Sequence, residues 1–395
     1  MKQPDEFDSY DARNAQLERD YRALLSRPNE PLRPGNGIFA RWRHPVLTRE
    51  HAPLHWRYDF DPQRNPFLQE RLGVNAAFNA GAIRRDGAYH LVVRVEGNDR
   101  KSFFAIASSP NGVDRFRFRD LPVILPETGE RDTNVYDMRL VAHEDGWIYG
   151  LFCTERPDPD RPDDPAACVA QCGIARSRDL DDWERLPDLV TPSPQQRNVV
   201  LHPEFVDGRY AFYTRPQADF IGASSPGFGW DQADSMDGAV IAEERIVDPC
   251  VFHTVKELKN GQGPAPLRTA HGWLHLAHGV RNTAAGFRYV LYLLLTDLDE
   301  PWRVVRRPGG HLLAPVPADA GAPGEEHAAQ LVVVVEVPVL AVVARRLDLR
   351  VVEAGGAGVT GTQEDDQITA VGMVEPPRSG LAPRDDLLDH RQPVS

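Results

Sequence analysis

Apolar and polar positions alternate with a period of two through much of this chain, which is the period of a strand. In Thr133–Leu140, the residues Val135, Asp137 and Arg139 alternate with Tyr136, Met138 and Leu140. One face of such a strand is apolar, and the other carries an acid and a base. The bland reading of that pair is a strand-edge ion pair; the rest of the chain turns it toward a site. Helical spacing is confined to the start, where Tyr10, Ala15, Leu17, Tyr21 and Leu24-Leu25 recur among charges. Three prolines and two glycines between Pro28 and Gly37 end that segment. Residues 1–37 are expected as a helical extension packed on the outside of the main body.

The strand pattern repeats. Asp86-Gly87 precedes Ala88–Arg94, Asp145-Gly146 precedes Trp147–Phe152, and Asp207-Gly208 precedes Arg209–Tyr213. A weaker copy is His271-Gly272 ahead of Trp273–Leu276, and the four glycines lie 59, 62 and 64 residues apart. An acid and a glycine before an aromatic-rich run is hairpin chemistry, because glycine adopts positive φ at no steric cost. A second motif follows in some units: Ser108–Gly112 leads to Phe116, Ser177–Leu180 to Trp183, and Thr296–Leu298 to Trp302. Units of this size, each holding several short strands, predict an all-β fold built from the blades of a β-propeller. A fifth turn is due near residue 335 and is absent.

The tail breaks the pattern. All 33 aromatic residues lie at or before Trp302, with none in the 93 that follow. Residues 316–395 therefore make a poor blade. A disordered extension or a change of reading frame is the favoured reading, and a divergent closing element the alternative. The main body is expected over residues 38–315, with its fifth blade incomplete.

The net charge of -13 argues against nucleic acid or an anionic membrane as partner. No early stretch joins a basic start to an apolar run, and the longest apolar runs, such as Tyr289–Leu295, cannot span a bilayer. A cytoplasmic protein is expected. The four cysteines read as free thiols. Cys168 and Cys172 have neither a second pair nor a histidine set, so no zinc site is expected.

Polar residues fall on or just after the repeated strands: Asn79, Arg94 with Glu96, Asp99, Asp137 with Arg139, Arg176, Arg197, His202 with Glu204, Arg215, and Lys259–Pro264. In a propeller the first strand of each blade lines the central channel, so such side chains converge. Cations converging with one acid make an anion site with a proton donor. An inverting glycoside hydrolase needs two carboxylates. A phosphorolytic enzyme uses phosphate as nucleophile, held by guanidinium forks, and needs one acid for the leaving oxygen. The composition of this group fits the second scheme better.

Several stretches carry a specific resemblance: Asn75-Ala-Ala-Phe-Asn79-Ala-Gly-Ala, Arg94-Val-Glu-Gly, Asp132-Thr-Asn-Val-Tyr-Asp137-Met-Arg-Leu, Arg197-Asn-Val-Val-Leu-His-Pro-Glu, Tyr213-Thr-Arg-Pro-Gln, Lys259-Asn-Gly-Gln-Gly-Pro-Ala-Pro and His278-Gly-Val-Arg-Asn-Thr-Ala-Ala-Gly. From about residue 15 to about residue 315 the chain resembles glycoside hydrolase family 130. That resemblance implies a five-bladed β-propeller that cleaves a β-1,4-mannosyl-glucose bond with inorganic phosphate, inverting the anomeric centre to give α-mannose 1-phosphate and glucose. Asp137 matches the catalytic acid, which would pass its proton through the 3-hydroxyl of the mannose. Asn79 matches a mannose-binding position, with Asp99 and Arg139 as further substrate-binding candidates. Arg94, Arg176, Arg197 and Lys259 match the phosphate-binding set, with His278 and Tyr289 as further contacts. The bland alternatives are a satisfied strand-end histidine for His278 and a core aromatic for Tyr289. No metal or organic cofactor is implied; a homo-oligomer is compatible.

The resemblance stops at the tail, where family members carry an aromatic-rich last blade with an Asp-Val-Ser-Asn and a Tyr-Tyr-Ala-Ser-Ser-Asp-Thr-Arg motif. Without it the ring is open, so weak activity and poor stability are expected. Alternative readings are a phosphorylase for mannosyl-N-acetylglucosamine or β-1,4-mannooligosaccharides, and an inactive carbohydrate-binding propeller. A hydrolase ranks last, because the cations would have no purpose.

Overall fold

The computed structural model describes residues 9–32, 39–129, 132–218, 225–284, 286–307 and 310–314. The expected break in the fifth blade and the tail beyond residue 315 lie outside them.

A helix, α1 (Tyr10–Ser26), opens the described chain. The Ser9 side chain accepts from the Ala12 amide and caps it. Tyr10 and Tyr21 donate their hydroxyls to the carbonyls of Phe60 and His51, which ties α1 to the segment before the first sheet.

Four antiparallel sheets follow in chain order. The first holds β1 (Val74–Arg85), β2 (Ala88–Gly97), β3 (Ser102–Ser109) and β4 (Arg117–Phe118). The second holds β5 (Asn134–Ala142), β6 (Ile148–Pro157), β7 (Cys168–Ser177) and β8 (Trp183–Leu189). Next come β9 (Gln195–Gln196), β10 (Val200–Leu201), β11 (Tyr210–Thr214), β12 (Pro216–Gln217), β13 (Gly227–Ala233) and β14 (Arg245–Pro249). Strands β10, β11, β13 and β14 make the third sheet, and β9 pairs with β12 beside it. The fourth sheet holds β15 (Lys259–Gln262), β16 (Leu267–Thr269), β17 (Gly272–Thr283), β18 (Gly286–Thr296) and β19 (Val304–Arg306). The arrangement is an all-β propeller with four blades, each running from an inner to an outer strand.

The repeated turns do what their chemistry predicts. Asp86-Gly87 and Asp207-Gly208 have positive φ at both central positions, the geometry of a two-residue hairpin turn. The second motif is a side-chain-capped turn. Ser109 Oγ accepts from the amides of Asn111 and Gly112, Ser177 Oγ from Asp179 and Leu180, and Asp297 Oδ1 from Asp299 and Glu300.

The core lies between the sheets. Val92, Phe104 and Ile106 of the first blade pack on Met138, Leu140 and Phe152 of the second. Leu151 and Ile174 meet Leu201 and Phe212 across the next seam, and Tyr213, Phe228 and Trp230 meet Ala277, Tyr292 and Leu294 across the third. Each interior aromatic or aliphatic removed from water stabilises the stack by roughly 1.5–3 kcal/mol. The far face of the first blade is covered by Val46, Leu47 and Ala52, and that of the fourth carries Leu313 with Phe39 against it. No helix among the described residues is long and apolar enough to cross a membrane.

Candidate active site

Strands β1 and β5 each break their ladder at the residue that matters most. The β1–β2 register slips between Phe78 and Gly81, and the β5–β6 register between Tyr136 and Arg139. Asn79 and Asp137 sit at these breaks with φ of 46° and 58°, and Asn198 repeats the conformation at 55° between β9 and β10. An extra residue re-aims the side chain, and Asn and Asp tolerate the left-handed region better than other side chains. The two strands nearly touch: a Cβ on Gly81 would lie 2.5 Å from the Met138 carbonyl oxygen. That approach carries Asn79 to Asp137.

Asp137 is 4% exposed. Its Oδ1 accepts from Asn79 Nδ2 at 2.9 Å and from Arg94 Nη1 at 3.2 Å. Its Oδ2 receives no hydrogen bond from the described residues. Arg94 is engaged at every nitrogen, with Nε on Ser102 Oγ at 2.9 Å and Nη2 on Glu96 Oε2 at 3.1 Å. Its guanidinium lies between the rings of Phe78 and Tyr136, 4.5 and 4.6 Å from their centroids. Burial opposes the charge of Arg94, but Asp137 and Glu96 outweigh it and raise its pKa above the ordinary value. Glu96 also accepts from Asn75 Nδ2 at 2.9 Å. Arg94, expected in the phosphate set, is brought to the acid here, its fork pairing with two carboxylates, one of them Asp137.

A second group gathers around His278. Gly261 on β15 pairs with His278 on β17, and a Cβ on Gly261 would lie 2.6 Å from His278 Cε1 and 3.1 Å from Arg215 Cδ. Burial, then the charges of Arg215, Arg139 and Lys259, push the His278 pKa well below its usual value. A neutral imidazole therefore stands among three cations. Lys259 Nζ lies 5.5 Å from the centre of the Tyr289 ring, which is buried in the fourth-sheet core. Arg139, two residues beyond Asp137 on β5, links the two groups.

Arg197 stands at a third place, its Nη2 3.4 Å from Glu155 Oε1, which also accepts the Tyr136 hydroxyl at 2.6 Å. Asp99 is exposed in the β2–β3 turn and accepts from the Lys101 amide. Arg176 does not join any of these groups. It lies on β7, a third strand, with its guanidinium over Trp147 at 4.4 Å and paired to Glu184 at 2.8 Å. The structure therefore does not bring Arg176 together with the other residues expected in the phosphate set.

Sequence reading grouped Arg215 and Lys259–Pro264 with the converging polar residues but gave Arg215 and Gly261 no specific part in the site. Asn198 was also missed. Its signal is an Asn set ahead of an apolar inner strand, as Asn79 and Asp137 are set within theirs. Among the described residues no group of three or more His, Cys, Asp or Glu is placed to hold a metal.

No family model matches the chain. Individual proteins do. It is 59% identical over 304 residues to a 4-O-beta-D-mannosyl-D-glucose phosphorylase of Bacteroides fragilis, covering 76% of this chain and 78% of that one. It is 26% identical over 273 residues to a beta-1,4-mannooligosaccharide phosphorylase of Ruminococcus albus, covering 66% of this chain and 74% of the relative. A solved structure described with the GH130 family of mannoside phosphorylases superposes with a TM-score of 0.55 at 16% identity, over 78% of this chain and 86% of that one.

Proposed function

Since this chain belongs to glycoside hydrolase family 130, the mannoside phosphorylases, we propose that it cleaves 4-O-β-D-mannosyl-D-glucose with inorganic phosphate. The products are α-mannose 1-phosphate and glucose. The observation that carries this reading is the division of the site into one held carboxylate and one cation cluster.

Asp137 is the acid. Asn79 and Arg94 fix its Oδ1, which leaves Oδ2 to carry the proton. The proton travels to the glucose O4 through the mannose 3-hydroxyl as the C1–O4 bond breaks. Phosphate attacks C1 from the opposite side. Arg139, Arg215, Lys259 and neutral His278 hold it there; three cations balance its charge and the imidazole supplies a hydrogen bond. Arg197, expected in the phosphate set, pairs with Glu155 apart from this cluster, and we assign it, with Asp99 at the rim, to the sugar. Arg94 orients the acid. No metal or organic cofactor enters the scheme.

We read an incomplete fifth blade between the fourth and the first. Its supporting observations are the Leu291–Leu313 bridge, which holds the chain after β19 on the fourth blade, and the bond from Arg41 Nη2 to the Ala314 carbonyl at 2.6 Å, which joins that chain to the segment ahead of β1.

The deciding experiment incubates the purified chain with 4-O-β-D-mannosyl-D-glucose, with and without phosphate, beside Asp137→Asn. Mannose 1-phosphate is expected from the native chain only, and only with phosphate. Free mannose without phosphate would instead make this a hydrolase. Mannosyl-N-acetylglucosamine and β-1,4-mannobiose in parallel report the acceptor. Sugar binding by the folded chain with no turnover on any substrate would mark an inactive propeller.

A further inference from the structure

We infer that Asp248, remote from the reacting atoms, is the positioning residue for the phosphate side of the site. This rests on the placing of Lys259 and His278 proposed above. Asp248 lies on β14 in the third blade and is 0% exposed. Its carboxylate collects groups from across the seam. Lys256 Nζ and Arg307 Nε (2.8 Å) reach Oδ1. The Tyr292 hydroxyl (2.6 Å) and Asn260 Nδ2 (3.1 Å) reach Oδ2. The Asp248 carbonyl takes a further bond from Asn260 Nδ2 at 2.9 Å. A buried carboxylate meeting two cations, a phenol and an amide is tightly fixed, and the bond from Asn260 Nδ2 to the Tyr292 hydroxyl at 3.1 Å ties two of these partners to each other as well.

Asn260 is the point of leverage. It stands between Lys259 and Gly261 on β15, and successive side chains on a strand point to opposite faces. Holding Asn260 toward Asp248 therefore turns Lys259 and Gly261 toward His278 and Arg215. The tolerance there is small, because Gly261 already packs within Cβ range of His278 and Arg215. A shift of β15 moves the lysine and the floor beneath the imidazole together. Tyr292 fixes β18, the strand that carries Tyr289, to the same carboxylate. The acid side of the site, on β1 and β5, is not attached to this hub.

The test measures inorganic phosphate binding by calorimetry and the two KM values for the native chain, Asp248→Asn and Tyr292→Phe, with Lys259→Ala as reference. Tyr292→Phe removes one bond to the carboxylate without stranding a charge, so it reports even where Asp248→Asn does not fold. The expected result is phosphate binding weakened about tenfold or more in Asp248→Asn and in the same direction in Tyr292→Phe, with the disaccharide KM changed less than about twofold. A variant that melts earlier but binds phosphate as the native chain does would make the hub purely structural and overturn the inference. Equal changes in both KM values would overturn it too. Loss of phosphate binding in Lys259→Ala but in neither hub variant leaves the proposed function standing and removes Asp248 from it. A native chain that binds no phosphate overturns both.

Discussion

At the residue scale, the use of each arginine follows from what already surrounds it. Arg94 is held by Ser102, Asp137 and Glu96 and flanked by two aromatic rings, which is why the role proposed for its fork is orientation. Arg94→Lys keeps the charge and loses the fork. We expect kcat to fall by roughly 100-fold, the scale of a misplaced reacting group, with KM for phosphate nearly unchanged. A phosphate ligand would give the reverse pattern, a raised phosphate KM, and steady-state kinetics at varied phosphate separates the two. Replacing Arg176, which lies over Trp147 and pairs with Glu184, is expected to change either constant little.

At the element scale, the site depends on two irregular inner strands. Regular strands would point residues 79 and 137 along the sheet normal; the breaks in register turn them toward each other. The glycine at 81 permits the close approach of β1 and β5. In Gly81→Ala the new Cβ would sit 2.5 Å from a backbone oxygen, which cannot swing aside as a side chain could. We expect a loss of about 1–3 kcal/mol in stability, measured by urea denaturation. Because the oxygen belongs to Met138, next to Asp137, kcat should fall in the fraction that remains folded. The same substitution at Gly87, where a Cβ meets nothing within 4 Å but φ is 76°, strains only the turn and should spare kcat.

At the scale of the whole molecule, the seams between blades carry buried histidines. His202 packs against Tyr213, Trp230 and Trp273, and its Nε2 has no hydrogen-bond partner among the described residues. Burial lowers its pKa to about 4, and burial likewise lowers that of His51, beneath the first blade, to about 4. Both histidines are neutral when folded, while the unfolded chain protonates near pH 6.5. Below that value the unfolded state binds more protons, so stability is complete above about pH 6.5 and declines as pH falls toward 4. Each histidine should cost about 2 kcal/mol by pH 5, read as a lower urea midpoint at pH 5 than at pH 7. His202→Gln and His51→Gln should flatten that dependence. The sequence by itself determined what is local. Turn chemistry at Asp86-Gly87 and Asp207-Gly208, the capped turns at Ser109 and Ser177 and the period-two strands all depend on neighbours a few residues away. Only the tertiary structure decided which cations face which group. Arg94 and Arg215 are alike in sequence, each ending a strand-like run, yet one meets Asp137 of the next blade and the other meets His278 of another. Those partners lie 43 and 63 residues along the chain, and the packing of whole blades, not any local pattern, brings them within reach.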